Sequence, residues 1–362
     1  MKINKYNSLV FAMLLGLGLS SQAQTKQWTL EECVRYALEN NITIKLSELD
    51  VKNADIDKKG ALGNYLPSVN GNASHSWNIG LNVNPVTNIA TTSTTQYSSL
   101  GVNAGVDIYK GLQNQNAYRR AKLSIIASQY QLVKMQEDIS LNVANAFLEI
   151  LFNKENLKVK KEQLLIDQKR LARSEEMVSA GTIPRGDLYD LKATAATDQQ
   201  AIIIAENSLL ISKLSLAQLL QLKEFTDFDV VDDTNAKDEN NIMAQSPADI
   251  YNKAKEIRTE LKLAQTNLEI AEKNVAIAKG AYQPTLRGFY AFSTSASYSD
   301  RLVGTDGAGN PIYEAPHSVL DQFSDNKGHN FGFQLNVPIF NGFSARNNVE
   351  RNKVSLEKSK ID

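Results

Sequence analysis

Hydrophobic and polar residues alternate along the stretch from Ser68 to Val83, which reads SVNGNASHSWNIGLNV. From Val69 on, every second residue is Val, Gly, Ala, His, Trp, Ile, Leu or Val, and the residues between them are Ser, Asn or Gly. Such alternation predicts a β-strand with two different faces. The polar face carries no charge, and the run is roughly twice as long as an ordinary strand. The pattern therefore predicts a long strand with one apolar face and one face suited to water.

The pattern occurs twice, because two parts of the chain resemble each other. KKGALGNYLPSVNGNAS, from Lys58, aligns with VAIAKGAYQPTLRGFYAFS, from Val275. GVNAGVDIYKGLQNQNAYRRAKLS, from Gly101, aligns with GFQLNVPIFNGFSARNNVERNKVS, from Gly332. Each part reads helix, Pro, strand, loop, strand, Gly, helix, which predicts an internal duplication. Pro cannot continue a helix and Gly permits unusual turns, so four residues are predicted to form helix–strand junctions: Pro67, Gly111, Pro284 and Gly342.

The N-terminal sequence and the duplication together predict how the whole chain is organised. Residues 1–23 contain Lys2 and Lys5, an apolar run and small residues at the end, which predicts a cleaved secretory signal peptide. Residues 24–245 are predicted to form the first repeat, with a helix, a strand hairpin, a long helical hairpin and an equatorial segment. Residues 246–362 are predicted to form the second repeat, which stops before its own helical hairpin. Both a fragment and a truncated gene fit this ending, and we favour a fragment.

The segment from Leu112 to Ala180 contains no Pro or Gly, and a continuous helix of this length would be a rod of about 100 Å. A return helix is predicted from Asp187 to Lys223, and the short connection SAGTIPRG makes the two rods antiparallel neighbours. Apolar residues recur every seven positions along the outgoing rod, which favours coiled-coil packing: Val143, Ile150, Leu157, Leu164, Leu171 and Val178.

The four predicted long strands are too few for a closed membrane barrel. A barrel cannot leave an open edge in lipid, and single-chain barrels start at roughly eight strands. Three copies of this chain would supply about twelve strands, enough for a water-filled lumen. The sequence therefore predicts a homotrimer whose polar strand faces line water and whose apolar faces meet membrane lipid.

Charge and reactive residues point away from several functions. The formal net charge of −1 gives no support for a nucleic-acid surface. Cys33 is the only cysteine, so no intrachain disulfide forms. His75 falls on the apolar register near Trp77, which favours a place in an interfacial aromatic belt over a metal site. GTDGAGNP, from Gly304, lacks the Lys of a phosphate-binding loop and is predicted to be a flexible outer loop. We therefore expect no catalytic residue, no bound metal and no cofactor, and the chain is not predicted to be an enzyme.

Several segments, taken in order, resemble the TolC-like outer membrane efflux proteins. They are WTLEECVRYALENN, from Trp28 to Asn41, the turns YLPSV and YQPTL, the sequences GVDIYKG and VPIFNG, and EEMVSAGTIPRGDLYDLKA, from Glu175 to Ala193. Cys33 stands at an alanine-like position of the family, and Ile42 stands where Pro is common. Together the matching segments span nearly all of the chain after the signal peptide.

The resemblance implies a mainly α fold with a β-barrel portion. Long antiparallel coiled-coil helices would form a periplasmic α-barrel, and four transmembrane strands per chain would form a twelve-stranded barrel in a homotrimer. It also implies an outer membrane channel with a periplasmic extension, which passively exports small molecules in a tripartite efflux or secretion system. The partners would be a periplasmic adaptor (membrane fusion) protein and an inner-membrane pump. By position, four residues at the hairpin tip would contact the adaptor: Gly181, Thr182, Ile183 and Asp187.

Other interpretations stay open at this point. Gly181 also fits a residue that merely ends a helix, and Asp187 fits a helix N-cap equally well. At the level of the whole chain, a type I protein-secretion duct shares the same features. A periplasmic coiled-coil adaptor or scaffold would explain the long helices, but it would not explain four long strands with uncharged polar faces.

Overall fold

The computed structural model describes residues 27–83, 90–223, 228–231, 246–298 and 300–362. The predicted signal peptide, residues 1–23, lies outside the described residues. The chain divides into two compact units. The first contains 27–49 and Gln131–Ile257, and the second contains Asp50–Tyr130 and Arg258–Asp362. Both units draw on residues before and after position 245, so the predicted repeat boundary does not coincide with a boundary between compact units.

The described residues contain the long helices and the four long strands that the sequence predicts, together with shorter helices and strands. The helices are α1 (Leu30–Asn40), α2 (Ile42–Gly63), α3 (Gln113–Ser179), α4 (Arg185–Leu219), α5 (Pro247–Ile257), α6 (Thr259–Lys279), α7 (Val319–Asp325) and α8 (Ser344–Ile361). The strands are β1 (Gln27–Trp28), β2 (Ser68–Val83), β3 (Ala90–Lys110), β4 (Asp229–Val230), β5 (Thr285–Ser297), β6 (Arg301–Thr305), β7 (Pro311–Glu314) and β8 (Gly328–Asn336).

The core of the first unit forms where α1 packs on α3 and α4. Helix α1 begins at a capping box, in which the Glu32 N–H donates to Thr29 Oγ1 at 3.2 Å and the Thr29 N–H donates to Glu32 Oε2 at 3.1 Å. Burying each large apolar side chain contributes about 1.5–3 kcal/mol, so this cluster anchors the unit. The largest fully buried side chains in it are Cys33, Ile44, Val143, Ile150, Leu216, Leu220 and Val230.

Helices α3 and α4 form the predicted antiparallel hairpin. Two ion pairs cross between them, Lys161 Nζ to Glu206 Oε1 at 3.0 Å and Lys192 Nζ to Glu175 Oε1 at 3.2 Å. Among the described helices, α4 has the length and apolar composition of a membrane span, a test that core helices also pass. Its charged Glu206 contacts α3, so this helix is tied into the hairpin.

A short parallel pair of strands, β1 and β4, was not predicted from the sequence. Gln27 pairs with Asp229 and Trp28 pairs with Val230. Asp229 Oδ1 forms ion pairs with Lys154 Nζ at 2.8 Å and with Lys213 Nζ at 3.0 Å. Burial alone would raise the pKa of Asp229, but the two lysines outweigh it and hold that pKa below its ordinary value. This ion cluster joins α3 and α4 to the segment that follows them.

The second unit contains an antiparallel four-stranded sheet in the order β2-β3-β5-β8. Strand β2 covers the residues that the alternation predicts. The region around Gly304, predicted as a flexible loop, instead contains the antiparallel pair β6 and β7. Its turn is organised by Asp306, whose Oδ1 accepts the N–H groups of Ala308 at 2.9 Å and Asn310 at 2.7 Å. An aspartate that accepts nearby backbone N–H groups favours such a turn, which explains the difference.

Candidate functional site

Most polar positions of β2 and β8, and those of the helix-proximal half of β3, lie on one face of the sheet, whereas Thr94, Gln96 and Ser98 of β3 and Thr294 of β5 lie on the other. Directly paired residues project to the same side, and Ser74 pairs with Ser99, which pairs with Ser295. The Oγ atoms of Ser74 and Ser99 are 2.8 Å apart, and Asn103 Nδ2 donates to Asn72 Oδ1 at 3.0 Å. Further members of this polar face are Asn70, Asn78, Gly101, Ser293 and Asn330, with Phe289 and Ala291 as apolar exceptions.

The opposite face of the sheet is mainly apolar and is exposed over much of its area. Ser98, Thr294 and Ala296 on this face are buried, and the Thr294 hydroxyl donates to Phe323 O of α7 at 2.8 Å. Trp77 is 60% exposed, Ile79 is 77% exposed, and both Phe331 and Phe333 are 76% exposed. Soluble proteins rarely leave such a continuous apolar surface uncovered. An outward apolar band opposite a polar interior face is the arrangement of a transmembrane β-strand.

His75 lies on this apolar face, as predicted. Its ring packs edge-on against Trp77 with 4.2 Å between ring centroids, and its Nδ1 lies 2.7 Å from Ser98 Oγ. The same hydroxyl lies 3.2 Å from the phenol oxygen of Tyr298. The polar atoms of this group are therefore hydrogen-bonded to one another, and its place in an interfacial belt stays a prediction.

Charged residues occur only at the helix-proximal end of the four long strands. They are Asp107 and Lys110 in β3 and Arg287 in β5. Lys110 Nζ donates to Asp107 Oδ2 at 2.9 Å. Arg287 pairs in register with Asp107 on one side and with Gln334 on the other, which puts it on the polar face. Arg287 was not predicted from the sequence as a functional residue, because hydrophobic and polar residues alternate less regularly in β5 than in β2.

Both predicted glycine junctions have the same backbone geometry. Gly111 has φ +56° and Gly342 has φ +61°, and the next residues, Leu112 and Phe343, also have positive φ values of 59° and 64°. At Gly111 a Cβ atom would lie 2.3 Å from the carbonyl oxygen of Gly280. Side chains do not tolerate such a contact, so the turn from β3 into α3 requires glycine.

Both predicted proline junctions stand immediately before a strand. Pro67 precedes β2, and Pro284 precedes β5 after a short 3₁₀ turn, Gly280–Tyr282. The Tyr109 hydroxyl donates to Gln283 Oε1 next to the second junction. These prolines therefore lie where a helix gives way to a strand, which is the structural role the sequence predicts for them.

The hairpin tip begins with a Schellman motif. Gly181 has φ +72°, its N–H donates to Val178 O at 3.0 Å, and the Thr182 N–H donates to Met177 O at 3.0 Å. The Thr182 hydroxyl donates to the same Met177 oxygen at 2.8 Å. Gly181 and Thr182 are exposed and Ile183 is half-buried. Gly181 thus ends α3, and this local role leaves its outer surface free.

The alternative that Asp187 is a helix N-cap is wrong. Helix α4 begins at Arg185, with Pro184 at the N-cap position and no capping side chain. Asp187 lies in the first turn, where an exposed carboxylate still interacts favourably with the positive end of the helix dipole. The helix starts two residues earlier than predicted because the extended backbone of Pro184 is well suited to precede it.

Comparisons with known proteins identify one matching protein family and several solved structures of similar fold. The family model described as "Outer membrane efflux protein" matches residues 34–221, just over half of the chain. A search of curated proteins by sequence found no match. A solved structure of CusC, from work on its folding and transmembrane channel formation, has a TM-score of 0.74 and 19% identity over 94% of this chain and 74% of CusC.

Two further solved structures have the same fold. The outer membrane protein VceC of Vibrio cholerae has a TM-score of 0.69 and 18% identity, over 92% of this chain and 74% of VceC. The CmeC outer membrane channel of Campylobacter jejuni has a TM-score of 0.72 and 18% identity, over 92% of this chain and 66% of CmeC. With the family match over residues 34–221, the chain belongs to the family of outer membrane efflux proteins.

Proposed function

We propose that three copies of this chain close a twelve-stranded barrel in the outer membrane and form a passive duct for small molecules. One observation carries the proposal: the four long strands pair so that one face is mainly polar and the other is mainly apolar and exposed over much of its area. Among the described residues, β2 and β8 each pair with only one strand, so both edges of the sheet are open. In lipid, open edges leave backbone groups without partners, and neighbouring chains remove that cost.

The hairpin tip supports the second part of the proposal, which concerns partners. Gly181, Thr182, Ile183 and Asp187 lie at the end of a long antiparallel hairpin, and a Cβ added at Gly181 would meet nothing within 4 Å. In the proposed system this tip contacts a periplasmic adaptor, and an inner-membrane pump supplies the energy. The duct itself needs no bound cofactor, because its driving force comes from that pump.

The closure of the barrel is tested by disulfide cross-linking between chains. Cys33 is replaced by Ala, Asn70 in β2 becomes Cys, and a second Cys is placed in turn at Asn330, Gln334 or Asn336 in β8. We expect oxidation of outer membrane fractions to give covalent dimers and trimers for at least one combination. As a control, Cys at Asn103, in the interior strand β3, should give no intermolecular product with Cys at Asn70. Monomers from all three β8 positions would contradict the proposed closure.

A further inference from the structure

We propose that Arg287 gives the duct a preference for anionic solutes, an inference that rests on the proposed function. It follows from the distribution of charge over the polar face. Apart from Arg287, the four long strands contain only Asp107 and Lys110 as charged residues, and these two form an ion pair at 2.9 Å. No described residue forms an ion pair with Arg287. The polar face therefore carries one uncompensated positive charge per chain, at its helix-proximal end.

The surroundings of Arg287 hold its side chain along the sheet. A Cβ at Gly105 would lie 2.7 Å from Nη2 and 3.1 Å from Nε of Arg287, so the guanidinium lies directly over the glycine. Any larger residue at 105 would displace the guanidinium. Arg287 is exposed on the other side. The absence of a side chain at Gly105 thus makes room for an arginine that lies along the wall and leaves the lumen open.

In the proposed trimer, the three copies of Arg287 form a ring where the barrel meets the helices. Rings of Arg or Lys favour anions in pores, and rings of Asp or Glu favour cations. The rest of the polar face consists mainly of Ser, Asn, Thr and Gly, which attract neither sign strongly. The field of such a ring extends over about 8 Å at physiological salt and about 30 Å at 0.01 M. The preference for anions is therefore expected to increase as the salt concentration falls.

The test uses the purified protein in planar lipid bilayers across a KCl gradient, with the reversal potential as readout. At low salt we expect the wild type to favour chloride over potassium, and Arg287→Gln to lower the chloride-to-potassium permeability ratio by about threefold. Arg287→Lys keeps the charge and should resemble the wild type. Asp107→Asn releases Lys110 and should change the ratio in the opposite direction. The differences of Arg287→Gln and Asp107→Asn from the wild type should both become small at about 1 M salt, where the screening length is about 3 Å.

The outcomes separate this inference from the proposed duct. Wild-type conductance with the same reversal potential in Arg287→Gln and in Asp107→Asn would overturn the role of Arg287 and leave the duct intact. No conductance from the wild type would overturn the duct, and the Arg287 ring with it. If Arg287→Gln fails to insert, Arg287→Met, which also removes the charge, takes its place, and an unchanged chloride-to-potassium permeability ratio in that variant would overturn the role of Arg287.

Discussion

The carboxyl groups of Asp167 on α3 and Asp198 on α4 lie within hydrogen-bonding distance of each other across the helical hairpin. The Asp167 side chain is only 5% exposed. It accepts Gln163 Nε2 at 2.5 Å and Arg170 Nη1 at 3.2 Å. Oδ2 of Asp198 is buried and receives no hydrogen bond from a described donor. Two carboxylates this close repel each other when both are ionised, so the pair retains a proton to higher pH than an isolated aspartate would.

The two members of this pair differ in acidity. Burial raises the pKa of Asp198, and the neighbouring Asp167 raises it further, against a smaller opposing effect of Lys160. The Gln163 amide, with help from Asp198 and Arg170, holds the pKa of Asp167 below its ordinary value. Asp198 is therefore the member of the pair that retains its proton to higher pH.

The first prediction concerns the pH dependence of hairpin stability. Because the pKa of Asp198 is higher in the folded state, its stabilising contribution is complete below the ordinary value of 3.8 and is lost as pH rises through the raised value. Asp198→Asn is permanently neutral and keeps a donor for Asp167. Its thermal unfolding midpoint, followed by helical circular dichroism, should therefore fall less between pH 4 and pH 8 than that of the wild type.

Asp190→Asn is the matched control, because Asp190 is exposed on the same helix. Its pH profile should follow the wild type. Parallel profiles for Asp198→Asn and the wild type would refute the raised pKa of Asp198. Below pH 3.8 we expect the stability to fall as the pH decreases. The pKa of Asp167 is lowered in the folded state, so its stabilising contribution is lost as that carboxylate becomes protonated.

The second prediction concerns the reactivity of Cys33. Its side chain is fully buried, and burial, followed by the charge of Glu32, raises its pKa to about 12. Only the thiolate reacts rapidly, so the folded protein should resist a maleimide reagent at pH 7.5 and react stoichiometrically in denaturant. A Ser179→Cys variant, with its new thiol at an exposed position, should be labelled without denaturant. Fast labelling of Cys33 in the folded wild type would show that α1 opens.

The strongest periodic patterns gave the most accurate predictions. Strand β2 covers the predicted residues, because strict alternation without charges leaves no competing helical interpretation. Helix α3 runs from Gln113 to Ser179, within one residue of the predicted ends, because the stretch has no Pro or Gly and Gly181 provides a C-terminal signal. In both cases local chemistry determines the structure.

Features that depend on distant pairing could not be predicted. Strand β4 is only two residues long, and it exists because Asp229–Val230 meets Gln27–Trp28, a partner about two hundred positions away. The place of Arg287 over Gly105 depends on the register between β3 and β5, which includes a bulge between Asp107 and Tyr109. The local sequence of these segments contains no pattern that would indicate the distant partner or the register.

The third prediction compares two glycines with positive φ. Gly111→Ala places a Cβ 2.3 Å from Gly280 O, whereas Gly181→Ala has the same backbone penalty and meets nothing within 4 Å. The left-handed conformation alone costs about 1–2 kcal/mol. Gly181→Ala should therefore lose about that much in the free energy of unfolding, and Gly111→Ala should lose more than about 3 kcal/mol, because backbone must move as well. Equal losses in urea unfolding experiments would mean that the junction can open without strain.

The last prediction concerns the hairpin tip and separates docking from folding. Ile183→Asp introduces a charge at a half-buried position outside both helices, next to the exposed Thr182. Since the C-terminal cap of α3 is made by Gly181 and Thr182, this change leaves the cap intact. If the tip docks a partner through an apolar contact, the rate at which cells export a fluorescent substrate should fall by at least about tenfold. A tenfold change corresponds to a loss of about 1.4 kcal/mol in binding free energy. The amount of protein in the outer membrane should stay the same.

Asp190→Asn, on the exposed side of the first turns of α4, is the control and should preserve both the efflux rate and the amount of protein in the membrane. Normal efflux by Ile183→Asp would show that this residue is not part of the docking surface, and a parallel loss of membrane-inserted protein would show that its role is structural.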